Sequence, residues 1–281
     1  MCKVWSDKGS RRVKKLLASV IWFIFVGVGS ICAQTETDIL YKKHTFELGP
    51  EIFYIAYKEP GVMKEKGVMY GVSGSYAYHN SIMLKVEGRG SLGKVDYSSP
   101  ILGEINNQSY WSLEFRGLGG YDFPVLKASI LTPFVGIGYR YLNDDGAGKF
   151  STIGTPFYEG YSDYVYSPIG IGFITALGDD WSLGGIGEYD LFWWGEQKSH
   201  YNVAGLNDTK NRQKEGFGLR GSITLGKKYK KVIFEGGPFI RYWNIKKSET
   251  ETLSRYGIPV GSAWEPKNNS TEVGIKLAIK Y

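Results

Sequence analysis

Residues 270–281 read STEVGIKLAIKY and end the 281-residue chain. Val273, Ile275, Leu277, Ile279 and Tyr281 alternate with Glu272, Gly274, Lys276, Ala278 and Lys280. A repeat of two gives one apolar and one polar face, which makes the segment a half-buried strand and not a helix. Two ammonium groups on the second face, Lys276 and Lys280, are costly in a dry core but tolerable in a wet lumen. The alternation alone also fits the last strand of a soluble β-sandwich. The rest of the chain decides between the two.

The same pattern recurs upstream. Residues 45–58 put Phe46, Leu48, Ile52 and Tyr54 on one face and Glu47, Gly49 and Glu51 on the other, with Pro50 expected at a bulge. Val68, Tyr70, Val72, Gly74, Tyr76 and Tyr78 alternate with Gly71, Ser73, Ser75 and Ala77, and a tight turn leads into Ile82, Leu84 and Val86. Behind that last set stand Lys85, Glu87 and Arg89, three consecutive inward positions of alternating sign. Later strands place Glu114 and Arg116, Arg140, Glu188 and Asp190, Arg220, and Glu235 and Arg241 inward. These charges cannot face lipid and would not line a dry soluble core. A barrel of about ten strands has an interior that side chains can fill, so the charges are expected to form a paired plug, Glu87 with Arg116 for example.

About ten strands emerge, the even number expected of single-chain bacterial barrels. Their connections alternate in length. Residues 94–109, 143–163, 195–214 and 245–269 form long polar loops; 79–81, 178–180 and 226–231 form short turns, and 122–131 is a longer member of the short class. An even count puts both ends of the barrel on the periplasmic side and the long loops outside the cell.

The N-terminus carries Lys3, Lys8, Arg11, Arg12, Lys14 and Lys15, then an apolar run over 16–28 and small residues up to Ala33. This describes a secretory signal peptide, with cleavage expected after Ala33, and the run is short for a membrane-spanning helix. The expected division is a signal peptide over 1–33 and a β-barrel over 34–281. The whole chain has 34 basic and 28 acidic residues; without 1–33 the counts are 28 and 27, which removes the support for a nucleic-acid partner. Cys2 and Cys32 both lie in 1–33, so the remainder has no disulfide and no thiolate metal site. Aromatic residues make up 15% of the chain, with 21 Tyr and 8 Trp, and such rings gather where membrane meets water.

Two glycine triplets, Gly88/Gly90/Gly93 and Gly216/Gly218/Gly221, have a dinucleotide-binding spacing but lie inside alternating strands, where glycine relieves curvature. Three histidines, His44, His79 and His200, form no metal-ligand spacing, so neither a metal nor a cofactor is expected. His44 and His79 are expected to be solvated.

The final strand resembles the C-terminal targeting signal of bacterial outer-membrane barrels, with Glu272, Gly274, Leu277, Ile279 and Tyr281 in its places. That resemblance implies delivery by barrel-assembly machinery. The chain from 34 onward also resembles the omptins, ten-stranded outer-membrane endopeptidases of Gram-negative bacteria. The local match is residues 193–201, WWGEQKSHY, where omptins carry Asp-x-His-Tyr. His200 and Tyr201 match, while Lys198 replaces the aspartate that orients the histidine. Asp96 matches the first member of the opposing carboxylate pair, Ser98 replaces the second, and Glu196 is the nearest substitute acid. Tyr139 resembles part of the family's lipopolysaccharide site, with Tyr141 and Asn143 in place of its acid and arginine.

These readings predict an all-β, antiparallel, up-and-down transmembrane barrel in the outer membrane, in contact with its lipid and lipopolysaccharide. A structural or surface-recognition role through the extracellular loops is expected. An omptin-like endopeptidase using His200, Asp96 and Glu196 is one alternative, and a narrow channel is another.

Overall fold

The computed structural model describes Leu40 and residues 42–126, 128–201 and 205–281. The expected signal peptide and both cysteines lie outside the described residues. In chain order the strands are β1 His44–Glu59, β2 Met63–Asn80, β3 Ile82–Ser99, β4 Gly103–Tyr121, β5 Phe123–Leu126, β6 Ser129–Asp145 and β7 Glu159–Gly178. They continue with β8 Trp181–Ser199, β9 Thr209–Gln213, β10 Gly216–Tyr229, β11 Val232–Ile245, β12 Glu251–Arg255, β13 Ile258–Ala263 and β14 Asn268–Lys280. Among the described residues there is no α-helix.

Neighbouring strands pair antiparallel in the order β1-β2-β3-β4-β6-β7-β8-β10-β11-β14, and β14 returns to β1. β5 prolongs β4 along the edge of β6, and β9 precedes β10 along β8, so the closed ring has ten staves. Closure leaves no edge, the condition for strands to cross a membrane. The last strand is the closing one: Ile52 pairs with Ile275 on one side of it, and Pro238 with the same Ile275 on the other.

Outward positions form the apolar belt read from the alternation. Leu48, Tyr70, Val86, Phe115, Ile137, Ile223 and Leu277 are all exposed on the outer wall. Trp111, Tyr139 and Trp193 stand toward the extracellular end of it, and Tyr121, Trp181, Tyr229 and Tyr281 toward the periplasmic end. Rings with an apolar body and a polar edge suit these two interfaces. The protein is an outer-membrane β-barrel.

Several local expectations change. Pro50 needs no bulge: it pairs with Val72 in an unbroken β1–β2 register, and pairing with β14 resumes in the same register at Glu51. Pro168 pairs with Asp190 inside β7–β8, whose register shifts lie between Val165 and Tyr166 and between Ala176 and Gly178. One segment read as a loop is mostly strand. Residues 94–109 form the upper part of the β3–β4 hairpin, which turns only at 100–102, and β1 and β2 turn at 60–62. Polar residues suggested loops there because this part of the wall rises above the lipid, where both faces tolerate them. The long-looking 122–131 connection shortens because Phe123 pairs with Leu131. Tight turns at the periplasmic end use left-handed residues, Ser81 (φ 60°), Asp179 and Asp180 (φ 48° and 62°) and Lys230 (φ 57°).

Gly274, read as part of a targeting signal, also has a packing reason. A Cβ there would lie 2.3 Å from the Ile52 carbonyl oxygen and 2.4 Å from the Phe53 Cβ. Gly274→Val is therefore expected to lower the yield of folded barrel even in detergent refolding, where no assembly machinery acts. The measurement is the fraction that migrates fast on an unheated gel; a yield equal to the parent protein's would confine Gly274 to targeting.

Candidate functional site: a filled lumen beneath an acidic mouth

Strand parity aims every second side chain of ten staves at one axis, and the lumen they fill has three levels. The lowest is ionic. Arg89 reaches Glu51 (2.5 Å) and Glu272 (2.6 Å); Arg241 reaches Glu51 (2.8 Å) and Glu272 (3.1 Å); Arg140 reaches Glu272 (2.6 Å). Arg220 binds Glu114 (2.5 Å) and Asp190 (2.7 Å) and touches Glu188 (3.2 Å). Arg116 joins Glu188 (2.6 Å) to Glu87 (2.7 Å), and Lys85 completes the chain on Glu87 (2.7 Å). Nearer the periplasm, Lys276 meets Glu47, and Lys280 meets Glu235 (2.7 Å). Eight cations thus face eight carboxylates.

The inward charges pair with one another, and Glu87 meets Arg116 (2.7 Å). Every inward charge named from the sequence takes part, though Glu235 pairs with Lys280 and stands apart from the arginines. The sequence reading did not place Glu47, Glu51, Glu272, Lys276 and Lys280 in this plug. Continuing the parity of β1 and β14 inward is the signal that finds them. Glu272, assigned to the targeting signal, is the acceptor shared by three arginines.

Above the ions lies an apolar level of inward Phe53, Ile55, Met69, Val95, Tyr110, Leu142, Tyr164, Tyr166, Phe192 and Trp243. Its lower rings cover guanidinium faces: Arg89 sits 5.0 Å from the Phe53 ring, Arg140 5.7 Å from Trp243 and Arg220 5.3 Å from Tyr166. Tyr166 fits because Gly138 opposite has no side chain; a Cβ there would lie 2.3 Å from the ring. Its hydroxyl then donates to Glu114 (2.6 Å). Below the ions, a cavity of about 270 Å³ opens among Thr45, Ser75, Lys85, Ser182 and Lys280. At this end His79 is not solvated as expected but holds Asp122 (2.7 Å), and His44 Nδ1 lies 2.8 Å from the Tyr76 hydroxyl.

The third level, at the extracellular mouth, is acidic. Glu59, Glu65, Asp144 and Glu265 come from β1, β2, β6 and the last loop. Tyr57 Oη lies 3.0 Å from both Glu59 Oε1 and Glu265 Oε1, and Gln108 Nε2 donates to Asp144 (2.5 Å). These residues stand above the lipid, since their outward neighbours Lys58, Lys64 and Lys66 are exposed charges. Burial raises the Glu59 carboxyl and pushes Glu65 and Glu265 well above the usual range, and Asp144 up to about 6.

The residues expected to form a peptidase site do not converge. His200, Lys198 and Glu196 lie outside the barrel wall: Lys198 sits 4.8 Å over the outward Tyr161 ring, and His200 5.6 Å from it. Glu196 pairs with Lys198 (3.2 Å) and not with His200. His200 Nδ1 instead meets Asp208 Oδ2 at 2.7 Å, a partner eight residues on that no sequence spacing suggested. Asp96 is also exposed on the outer wall, opposite Lys66, and accepts the Asn107 amide (2.9 Å). β3 and β8 are four staves apart in the ring, so two outward side chains on them diverge. Tyr139, on the same outer wall, donates to Asp163. Among the described residues no group of three or more His, Cys, Asp or Glu could hold a metal ion.

Fold and lumen together define a small outer-membrane barrel with a filled interior. Among solved structures it is similar to the outer membrane protease OmpT from Escherichia coli, with a TM-score of 0.61 and 12% identity over 85% of this chain and 96% of that one. The scaffold resemblance to an omptin therefore stands at the level of the fold. The translocator domain of the autotransporter NalP from Neisseria meningitidis (TM-score 0.41, 10% identity, 100% of this chain and 99% of that one) and the Pseudomonas putida toluene transporter TodX (0.38, 11%, 90% and 95%) are more distant. No family model and no curated protein matches the sequence.

Removing the shared acceptor takes the carboxylate from Arg140 and leaves Arg89 and Arg241 crowded on Glu51. Glu272→Ala is expected to cost about 3–5 kcal/mol of barrel stability, read from urea unfolding of the refolded protein. A change under about 1 kcal/mol would mean that Arg140 finds another acceptor and that Glu51 suffices for the other two.

Proposed function

We propose that the protein is a non-enzymatic surface barrel whose extracellular hairpins are its contact surface. One observation carries this reading: large apolar side chains stand free at the loop tips, beyond the membrane. Ile101, Phe150, Ile153, Tyr256 and Ile258 are all more than 60% exposed, and Tyr256 is 94% exposed. Water around such side chains is costly, and clusters of them beyond the lipid mark contact sites. The filled lumen supports this reading over a channel, because ion pairs and the apolar level above them occupy the axis. Lipopolysaccharide and membrane lipid would surround the wall, and barrel-assembly machinery would read the last strand.

The His200–Asp208 pair favours a second reading. A carboxylate on Nδ1 fixes the tautomer of an imidazole and stabilises its charged form, as a water-activating histidine requires. Here that pair faces outward, away from Asp96 and from the acidic mouth.

Three measurements separate these readings from each other and from a channel. Cells displaying Tyr256→Ser with Ile258→Ser are expected to adhere to an epithelial monolayer, and to one another, less than cells displaying the parent protein. Unchanged adhesion in both assays would refute the contact reading. The parent protein with added lipopolysaccharide is expected to leave a fluorogenic dibasic peptide intact; cleavage that disappears in both His200→Ala and Asp208→Asn would establish the peptidase. Planar bilayers containing the protein are expected to show no steady conductance, and stable large currents would establish a channel.

A further inference from the structure

The last loop joins β11 to β14 and carries the β12–β13 hairpin with Tyr256 and Ile258 at its end. Its two limbs are tied together by Ser248, whose amide donates to the Glu265 carbonyl (3.0 Å) and whose hydroxyl accepts the Glu265 amide (2.7 Å). On one side the loop lies along β9, where Asn211 donates to the Glu249 and Ala263 carbonyls (3.2 and 3.0 Å). On the other side its attachment is the Glu265 side chain, which enters the acidic mouth and meets Tyr57 of β1.

That attachment is short of hydrogens. The Tyr57 hydroxyl has one proton and lies 3.0 Å from two carboxyl oxygens, Glu59 Oε1 and Glu265 Oε1. A phenol donates once, so the second contact holds only if a carboxyl brings its own proton. The neighbouring Glu65 and Asp144 have the same shortage. Glu65 Oε1 and Gln108 Oε1 are both buried and have no hydrogen-bond partner among the described residues.

The groups facing this cluster from other elements do not make up the deficit. They are phenols: Tyr97 on β3, Tyr110 on β4, Tyr164 on β7, and Tyr158 with Tyr201 in the adjoining loops. Of the nearest cations, Lys149 is held by the carbonyls of Asn106 and Asn107, and Arg140 is bound to Glu272 below. This contrasts with the ionic level, where every carboxylate meets a cation.

We propose that Glu265, Tyr57 and Glu59 form a proton-dependent clasp that holds the last surface loop on the barrel mouth. Protonated, the three side chains share two hydrogens and the loop is seated. Deprotonated, four carboxylates repel one another in a space with few donors, and the limb carrying Glu265 lifts. The clasp rests on the contact reading above, because the loop it controls carries the exposed hairpin.

The sign follows from linkage. Folded-state carboxyl pKa values raised above the ordinary range contribute stability that is complete below that range and is lost as pH rises through them. With Asp144 pushed up to about 6 and burial holding Glu265 well above the ordinary carboxyl range, the seated loop is favoured in acid and released toward alkaline pH.

Hydrogen exchange of the full barrel in detergent micelles, with each rate divided by its intrinsic chemical rate, tests this. Protection of residues 249–265 is expected to fall about tenfold for each unit of pH between the open-state and seated-state carboxyl values. Protection of the transmembrane staves should stay constant. Glu265→Gln and Glu59→Gln each supply a permanent donor, so loop protection in both is expected to change less than about threefold from pH 5 to 9. A pH-independent profile in the parent protein would overturn the clasp, as would a fall in both glutamine variants matching the parent. Adhesion of the Tyr256→Ser with Ile258→Ser variant is scored at one fixed pH, so the clasp and the contact reading fail separately.

Discussion

A ten-stave ring has no core in the ordinary sense. It has a wall, and half the side chains of that wall point at a common axis with no second layer to meet. Whatever fills that axis must be self-complementary, because each inward group can find a partner only across the lumen or on a neighbouring stave. Here the solution is a lattice of guanidinium and carboxylate groups. Arg89 reaches Glu51 on β1 and Glu272 on β14, and Arg220 ties β10 to β4 and β8. Bidentate arginines suit this task better than lysines, since one planar head can satisfy carboxylates from two directions.

The ions depend in turn on what covers them. Charges withdrawn from bulk water lose hydration, and pairing offsets that loss only when geometry is good and the remaining donors are met. The aromatic level above the arginines supplies faces for cation–π contact and excludes water from the extracellular side. The cavity below leaves the periplasmic side wetter, and there the simpler Lys276–Glu47 and Lys280–Glu235 pairs suffice. Burial therefore falls from the arginine level toward the periplasm, and arginine gives way to lysine along the same direction.

Above the lipid the constraint reverses. The wall rises past the membrane, so polar residues can occupy both faces of a strand, and the interior collects acids without cations. The same burial that a guanidinium offsets lower down is here left to protons. Rigid staves below and proton-dependent attachment above put the variable part of the molecule where it meets the outside.

The sequence by itself determined the barrel, its outward belt and the sign of most lumen charges, because a period of two fixes which face each residue takes once one residue is placed. The alternation over 273–281 and the charges at 85, 87 and 89 needed no tertiary contact to be read. Residue type alone does not tell inward Phe53, Met69 or Trp243 from lipid-facing residues, since both environments are apolar; only the parity of their strands separates them. Nor does residue type separate a polar loop from a polar strand above the membrane, as at 94–109. Partnerships across the ring belong to the tertiary structure alone. Arg140 and Glu272 are 132 residues apart and meet only because the ring closes. Asp208, and not the nearer Glu196, reaches His200 because the chain folds back after β8, while Glu196 stays on the strand beside Lys198. Outward strand faces send His200 and Asp96 away from each other, a consequence of stave position that local spacing does not carry.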